Sequence, residues 1–92
     1  MITYMANKTD KEEMSAFAMM VGEIVRSHMK RLDITQAKVA DYLNRSPNYV
    51  SERVTMKRSW TMQDFDSLAK LFGLTNGFAL MDEARGITEE KR

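Results

Sequence analysis

Two short helical patterns, separated by a very short turn, constrain this chain more than any other feature. Thr35 can cap a helix through its hydroxyl, and the apolar pattern of that helix breaks at Asn44. A second pattern begins at Ser46 and Pro47, because serine caps well and proline suits the first helical position, where its missing N–H is not needed. The sequence therefore predicts two short adjacent helices, the second of which runs from Pro47 to about Val54.

Helical spacing of apolar residues extends through the rest of the chain, and no stretch alternates polar and apolar residues for long enough to predict a sheet. Thr9 and Glu12 resemble a capping box ahead of a first helix, and Thr61 can cap a fourth. That fourth helix is predicted to stop at Gly73, and a last short helix follows over residues 75–83. We expect an all-α protein, a compact five-helix bundle that contains a helix-turn-helix.

The predicted apolar faces supply both a core and a candidate subunit interface. The core positions are Met14, Phe17, Val21, Val25, His28 and Leu32 in the first helix, Phe65, Leu68, Ala69, Leu71 and Phe72 in the fourth, and Phe78, Leu80 and Met81 in the last. Met19, Met20, Phe78 and Met81 could form a surface between subunits, although core packing explains them equally well.

The length of 92 residues fits a single domain, and the sequence contains no cysteine. We expect a core over residues 10–85, a flexible arm over residues 1–8 and a flexible tail over residues 86–92. Without cysteine there is no disulfide framework and no thiolate metal site, and no apolar run approaches the roughly 20 residues of a membrane span. These features predict a cytoplasmic protein, and the modest size favours burial of surface in a homodimer.

The formal net charge of +1 hides an uneven distribution. Residues 26–58 carry a net charge of +5, whereas the segments before and after them each carry −2. A basic centre between acidic flanks is typical of a nucleic-acid-binding face, but an ordinary solvated helical surface can also produce it.

Matches to one known family extend over roughly residues 21–81. They are Val21-Gly22, Val25-Arg26, Ile34-Thr35-Gln36, Val39-Ala40, Ser46, Val50-Ser51, Leu68-Ala69 and Phe72-Gly73-Leu74. With these residues the chain resembles the lambda-repressor and Cro (XRE-type) group of helix-turn-helix proteins of phages and bacteria. The resemblance implies a transcriptional regulator, most simply a repressor, that binds a DNA operator as a homodimer with its third helix in the major groove. It also implies a location at the bacterial nucleoid or in a phage-infected host.

The resemblance also implies roles for residues around the turn. The base-reading positions are Pro47, Asn48, Ser51 and Glu52. The positions expected to contact the DNA backbone are Gln36, Lys38, Arg45, Ser46, Tyr49, Arg53, Lys57, Arg58 and Ser59. Because proline cannot read a base by hydrogen bonds, specificity would depend on Asn48, which can bind adenine, and on Glu52, which can accept from cytosine N4. The alternative is that both are solvated residues of an amphipathic helix.

Three positions depart from the family pattern. Family members often pair an arginine in the first helix with a glutamate at the end of the third, followed two residues later by glycine. This chain has Met29, Val54 and Met56 there. Since both charges are lost together, no charge is left stranded in the interior. Methionine in place of glycine predicts a different exit from the third helix.

No residue pattern predicts catalysis, and we expect neither an enzyme, nor a cofactor, nor a metal site. There is no glycine-rich phosphate loop, and His28, the only histidine, has no acidic or nucleophilic neighbour at a useful spacing along the chain. A packing or surface role is predicted for it. Two other functions remain open: an antitoxin that regulates its own operon and binds a toxin, and a protein-interaction module that has lost DNA binding.

Overall fold

The computed structural model describes residues 13–90 of the chain, with side chains for residues 13–83 and 85. In this range the chain forms five α-helices and no strand, which confirms the prediction of an all-helical fold. The helices are α1 (Ala16–Leu32), α2 (Gln36–Leu43), α3 (Pro47–Val54), α4 (Met62–Leu71) and α5 (Gly77–Glu90). None of the described helices is long and apolar enough to cross a membrane.

Hydroxyl side chains begin the first four helices. Ser15, Thr35, Ser46 and Thr61 each have extended backbone, and each hydroxyl accepts a hydrogen bond from the backbone N–H three residues later. These bonds satisfy N–H groups that have no partner within the helix. The predicted starts of α2, α3 and α4 are therefore confirmed.

The ends of the chain differ from the sequence prediction. α1 begins at Ala16, and the capping box predicted at Thr9 and Glu12 lies outside the described residues, as does the predicted arm. α5 begins at Gly77, where the Asn76 side chain accepts from the backbone of Ala79, and continues to Glu90. The prediction that this helix ends at residue 83 is wrong, because no proline follows and the glycine at 86 is tolerated inside a helix.

Four of the helices end through a residue with left-handed backbone. The φ angles are 58° at Asp33, 57° at Asn44, 68° at Met56 and 89° at Gly73. After α4, the N–H groups of Gly73 and Leu74 donate to carbonyls of the last turn, as predicted for a Schellman ending. After α3, Met56 and Lys57 make the equivalent bonds to Arg53 and Glu52. Methionine at 56 thus adopts the left-handed conformation that glycine favours.

The core lies between the five helices. Val25, Val39, Val50, Leu68 and Leu80 are fully buried, so every helix contributes to it. α5 packs mainly against α4, α2 packs mainly against α3, and α1 contacts both α3 and α5.

Several residues of the predicted core faces lie at the surface. Only the middle of α1 is covered, from Val21 to Met29, and this leaves Phe17 and Leu32 at its ends 50% and 43% exposed. Phe78 in α5 is 82% exposed. Helical spacing predicts which face of a helix is apolar, but it does not predict how far along that face the neighbouring helices extend.

Candidate functional site

The α2–α3 pair is held together by local hydrogen bonds and by apolar contact. The N–H of Arg45 donates to the carbonyl of Ala40 over 2.9 Å, which closes the end of α2. Ser46 then caps α3 at once, and Val39, Ala40 and Val50 are buried beneath the turn. This packing fixes α3 with its first residues on the outside.

The four predicted base-reading residues lie on or beside the outer face of α3. Pro47 and Asn48 are exposed, whereas Ser51 and Glu52 are half-buried. Asn48 and Glu52 are one helical turn apart and therefore lie on the same face. The Glu52 carboxylate is 33% exposed and lies 3.5 Å from Nη1 of Arg53. This face carries an amide and a carboxylate that could contact groups presented from outside.

Most of the predicted backbone-contacting residues flank this face. Gln36 and Lys38 are exposed in the first turn of α2, and Arg45 and Ser46 are exposed in the turn before α3. In the segment after α3, Lys57 is exposed, while Arg58 and Ser59 are half-buried and Ser59 lines a separate groove between α1, α4 and α5. Exposed cations thus precede α3 in the chain, at Lys38 and Arg45, and follow it, at Lys57.

Tyr49 and Arg53 are held in contacts within the protein. The Tyr49 hydroxyl donates to the Asp64 carboxylate, and the guanidinium carbon of Arg53 lies 3.6 Å from the centre of the Tyr49 ring. Nη1 of Arg53 also donates to the Tyr49 carbonyl over 3.1 Å, and only 13% of the Arg53 side chain is exposed. The polar groups of both residues are therefore used inside the fold, which differs from the phosphate contacts predicted for them.

Asp64 is the residue of this site that sequence reasoning missed. Its side chain is 3% exposed and lies 3.3 Å from Nη2 of Arg45, which also packs against the Tyr49 ring at 4.6 Å. The carboxylate therefore connects α4 to the turn and to α3. Its only sequence signal was its place three residues after the Thr61 cap, which explains a helix start but not this partnership.

The chemistry of this cluster keeps Tyr49 as a hydrogen-bond donor. Burial raises the pKa of Tyr49, and the hydrogen bond to Asp64 raises the pKa further because a phenolate would repel the carboxylate. The phenol therefore stays protonated at neutral pH and holds Asp64, while Arg45 neutralises the same carboxylate from the solvent side. These contacts connect α3 and the turn before it to α4.

Met29 and Val54, the two apolar residues that depart from the lambda-repressor pattern in the sequence, both pack inside the fold. Met29 is 7% exposed in the core, and Val54 packs half-buried against the same core. Both residues line the hollow between α1 and α3. An uncompensated charge at either position would be costly, and neither residue carries one.

His28 packs inside the bundle, as one of its two predicted roles required. It is 2% exposed and stacks on Phe72, with ring centres 5.0 Å apart. Nδ1 lies 2.9 Å from the Ile24 carbonyl, and Nε2 lies 3.1 Å from Oε1 of Glu83. The sequence showed no acidic neighbour, but the fold brings one from α5. Among the described residues, no group of three or more histidine or acidic side chains could hold a metal ion.

Comparison with known proteins assigns neither a family nor a function to this chain. No known protein family, curated protein or solved structure matches the chain.

Proposed function

We propose that this protein is a sequence-specific DNA-binding transcriptional regulator of the lambda-repressor and Cro type. In this proposal α2 and α3 form a helix-turn-helix, and α3 enters the major groove of an operator bound by a homodimer. One observation carries the proposal: α3 exposes Asn48 and, one turn later, part of the Glu52 side chain, and exposed basic residues precede and follow this helix in the chain. A polar helix face with basic residues nearby suits a groove bordered by phosphates.

Asn48 and Glu52 are assigned to base recognition. An asparagine amide can bind N6 and N7 of adenine together, and a glutamate can accept from N4 of cytosine. Ser51 lies between them on the same side of α3, and Pro47 supplies an apolar contact of the kind that suits a thymine methyl group. Specificity would then depend mainly on two side chains in each half-site.

Phosphate contacts are assigned to the exposed residues that flank α3. These are Gln36, Lys38, Arg45, Ser46 and Lys57, with Arg58 at the edge of the same surface. Tyr49 and Arg53 are given a different role from the one first predicted, because their polar groups bond within the fold and only 13% of the Arg53 side chain is exposed. They position α3 and do not contribute to the dependence of binding on salt. Arg45 also contacts Asp64, but 39% of its side chain remains exposed to an incoming phosphate.

The proposal assigns no catalytic step and no cofactor to the protein. Two copies would place their α3 helices about 34–36 Å apart, one turn of B-DNA, on a palindromic operator. Repression would follow because the bound dimer covers DNA that RNA polymerase needs. Such a regulator would act in the cytoplasm of a bacterium or of a phage-infected host.

Selection from a randomised DNA duplex library tests this proposal directly. We expect an enriched palindrome whose affinity falls steeply as salt rises, because each phosphate contact releases counterions. Asn48→Ala should relax the preference at one position in each half-site and weaken binding by about 1–3 kcal/mol. The matched control is Gln63→Ala, which removes an exposed amide from α4 and should leave both affinity and preference unchanged.

Two results would contradict the proposal in different ways. Salt-dependent binding without any enriched sequence would remove the base-reading role of α3. No binding even at low salt, where phosphate contacts are strongest, would remove DNA as the partner and support a protein-interaction module.

A further inference from the structure

Arg45 differs from Lys38 and Lys57, the other exposed cations beside α3, because its side chain is bonded within the protein. Nη2 of Arg45 donates to Oδ1 of Asp64 over 3.3 Å, and the guanidinium carbon lies 4.6 Å from the centre of the Tyr49 ring. Neither lysine makes an ion pair with a described residue. The guanidinium of Arg45 therefore has a defined place on the surface.

The backbone at Arg45 is fixed as well. Its N–H donates to the carbonyl of Ala40 over 2.9 Å, and the next residue, Ser46, caps α3 through a bond from the N–H of Tyr49. Both ends of the Arg45 side chain are thus held. A long side chain that is already ordered loses less rotamer freedom when a ligand binds to it than one that moves in solvent.

The bond to Asp64 leaves part of the guanidinium free. Arginine carries several N–H donors in one plane, and the bond to Asp64 uses one of those on Nη2. Because 39% of the side chain is exposed, the remaining donors can reach a group that approaches from solvent. A phosphate suits them, since two of its oxygens match the planar fork of a guanidinium.

Asp64 keeps Arg45 in this place because the carboxylate is buried. Its side chain is 3% exposed, and its Oδ2 accepts from the Tyr49 hydroxyl. A buried carboxylate that loses its cation is unfavourable, so Arg45 should stay on Asp64 when it binds a second anion. Asp64 belongs to α4, whereas Arg45 lies in the turn before α3, so the carboxylate fixes the arginine from outside the helix pair.

We propose that Asp64 is a positioning residue for DNA binding, which holds Arg45 so that its free N–H groups meet one backbone phosphate beside the start of α3. This inference rests on the proposed function and adds to it a residue that touches no DNA. Loss of the Asp64 charge should therefore weaken operator binding. Simple electrostatics makes the opposite prediction, because removing a negative charge favours contact with DNA.

Binding of the full chain to two DNA duplexes tests this inference. One is the operator that the wild type selects from the library, and the other is a scrambled duplex of the same length. Asp64→Asn keeps the shape of the side chain and removes its charge. It should weaken operator binding by about 10-fold, as expected when a long side chain must be ordered during binding, and it should not weaken binding to the scrambled duplex.

Asp82→Asn is the matched control. It also removes one carboxylate charge, but Asp82 lies in α5, is 73% exposed and pairs with Arg85. General electrostatics acts on both variants alike, whereas only Asp64 contacts Arg45. Asp82→Asn should therefore bind both duplexes at least as tightly as the wild type.

Single phosphates of the operator provide a readout that a purely structural role of Asp64 would not change. Each backbone phosphate is replaced in turn by an uncharged methylphosphonate. One such replacement in each half-site should weaken binding of the wild type and have no effect on Arg45→Ala. The same replacement should weaken Asp64→Asn less than the wild type, because Arg45 is then no longer held at that phosphate.

Arg45→Lys tests the inference without removing the buried carboxylate. The charge is kept on an exposed residue, but an ammonium lacks the fork that can hold Asp64 and a phosphate together. This variant should bind the operator about 10-fold more weakly and the scrambled duplex like the wild type. Circular dichroism at the assay temperature should show the helix content of the wild type, so that folded proteins are compared.

The outcomes separate this inference from the proposed function. Operator binding by Asp64→Asn as tight as that of the wild type, or tighter, would overturn the inference and leave the proposed function intact. Binding of Arg45→Lys like the wild type would do the same. A wild-type chain that binds no duplex even at low salt would overturn the proposed function and this inference with it.

Discussion

The Sδ atom of Met56 lies 2.6 Å from the position that a Cβ atom would occupy on residue 22. Gly22 in α1 is therefore covered by the methionine that follows α3, and no larger residue fits at 22 unless Met56 moves. Met56 holds this place with a φ of 68°, a backbone conformation that costs a residue with a side chain about 1 kcal/mol or more. Where α1 meets the end of α3, Gly22 thus accepts a close approach, and Met56 is held in a strained backbone conformation.

Gly22 and Met56 should behave as a coupled pair. Gly22→Ala gains about 1 kcal/mol of helix propensity, but the flexible end of the Met56 side chain must move aside, so the net gain in stability should be below about 1 kcal/mol. In a Met56→Gly background that contact is absent, so the same substitution should stabilise by the full helix-propensity gain of about 1 kcal/mol. Urea unfolding of the four proteins measures this cycle. Additive effects would show that the two residues do not interact.

Asp64 should contribute more to the free energy of unfolding than an exposed aspartate does. Asp64→Ala leaves the Tyr49 hydroxyl and Arg45 without their shared carboxylate in a partly buried site, and it should cost about 2–4 kcal/mol of unfolding free energy. Asp82→Ala is the control, because its pair with Arg85 is exposed and is worth at most about 0.5 kcal/mol. Chemical denaturation compares the two. Equal small losses would mean that Asp64 does not connect α4 to α3.

His28 should stabilise the bundle mainly through its buried ring. His28→Ala removes the stacking on Phe72 and leaves a cavity between α1 and α5, so we expect a loss of about 2–4 kcal/mol. Glu83→Ala should cost less than about 1 kcal/mol, because the Glu83 side chain is 39% exposed. Thermal or urea unfolding distinguishes the two variants. If their losses were equal, the His28–Glu83 pair would dominate over ring packing.

Asp66 should make the stability of the protein depend on acid pH. The hydrogen bond from the N–H of Gly77 lowers the pKa of Asp66, and Lys70 lowers it further. Since the pKa is lower in the folded state than in the unfolded state, the ionised carboxylate stabilises the fold above the unfolded pKa of about 3.9. That contribution is lost as pH falls through the folded pKa.

Asp66→Asn keeps an oxygen acceptor for Gly77 but cannot ionise. The wild type should therefore be more stable than Asp66→Asn at pH 7, and the difference should shrink as pH falls below about 4. Unfolding midpoints of both proteins at pH 7 and at acid pH measure this difference. A difference that stays constant with pH would show that the charge of Asp66 does not contribute.

Hydrogen bonds between near neighbours in the chain explain why the starts of several helices could be predicted from the sequence. A cap such as Ser46 bonds an N–H only three residues away, and the proline after it suits the first turn of α3. Both signals lie within one short stretch of chain, so they can be interpreted without knowledge of the fold. The same reasoning failed for Met56, because its left-handed backbone contradicts the preference of its residue type.

The sequence by itself determined the all-helical class and the starts of α2, α3 and α4. Only the tertiary structure decided that Asp64 holds Tyr49 and Arg45, which are 15 and 19 residues away from it, and that Phe78 lies in solvent. The physical reason is the separation along the chain between the residues that interact. Caps and turns depend on hydrogen bonds between near neighbours in the chain, whereas buried polar clusters and exposed apolar patches depend on how distant helices pack.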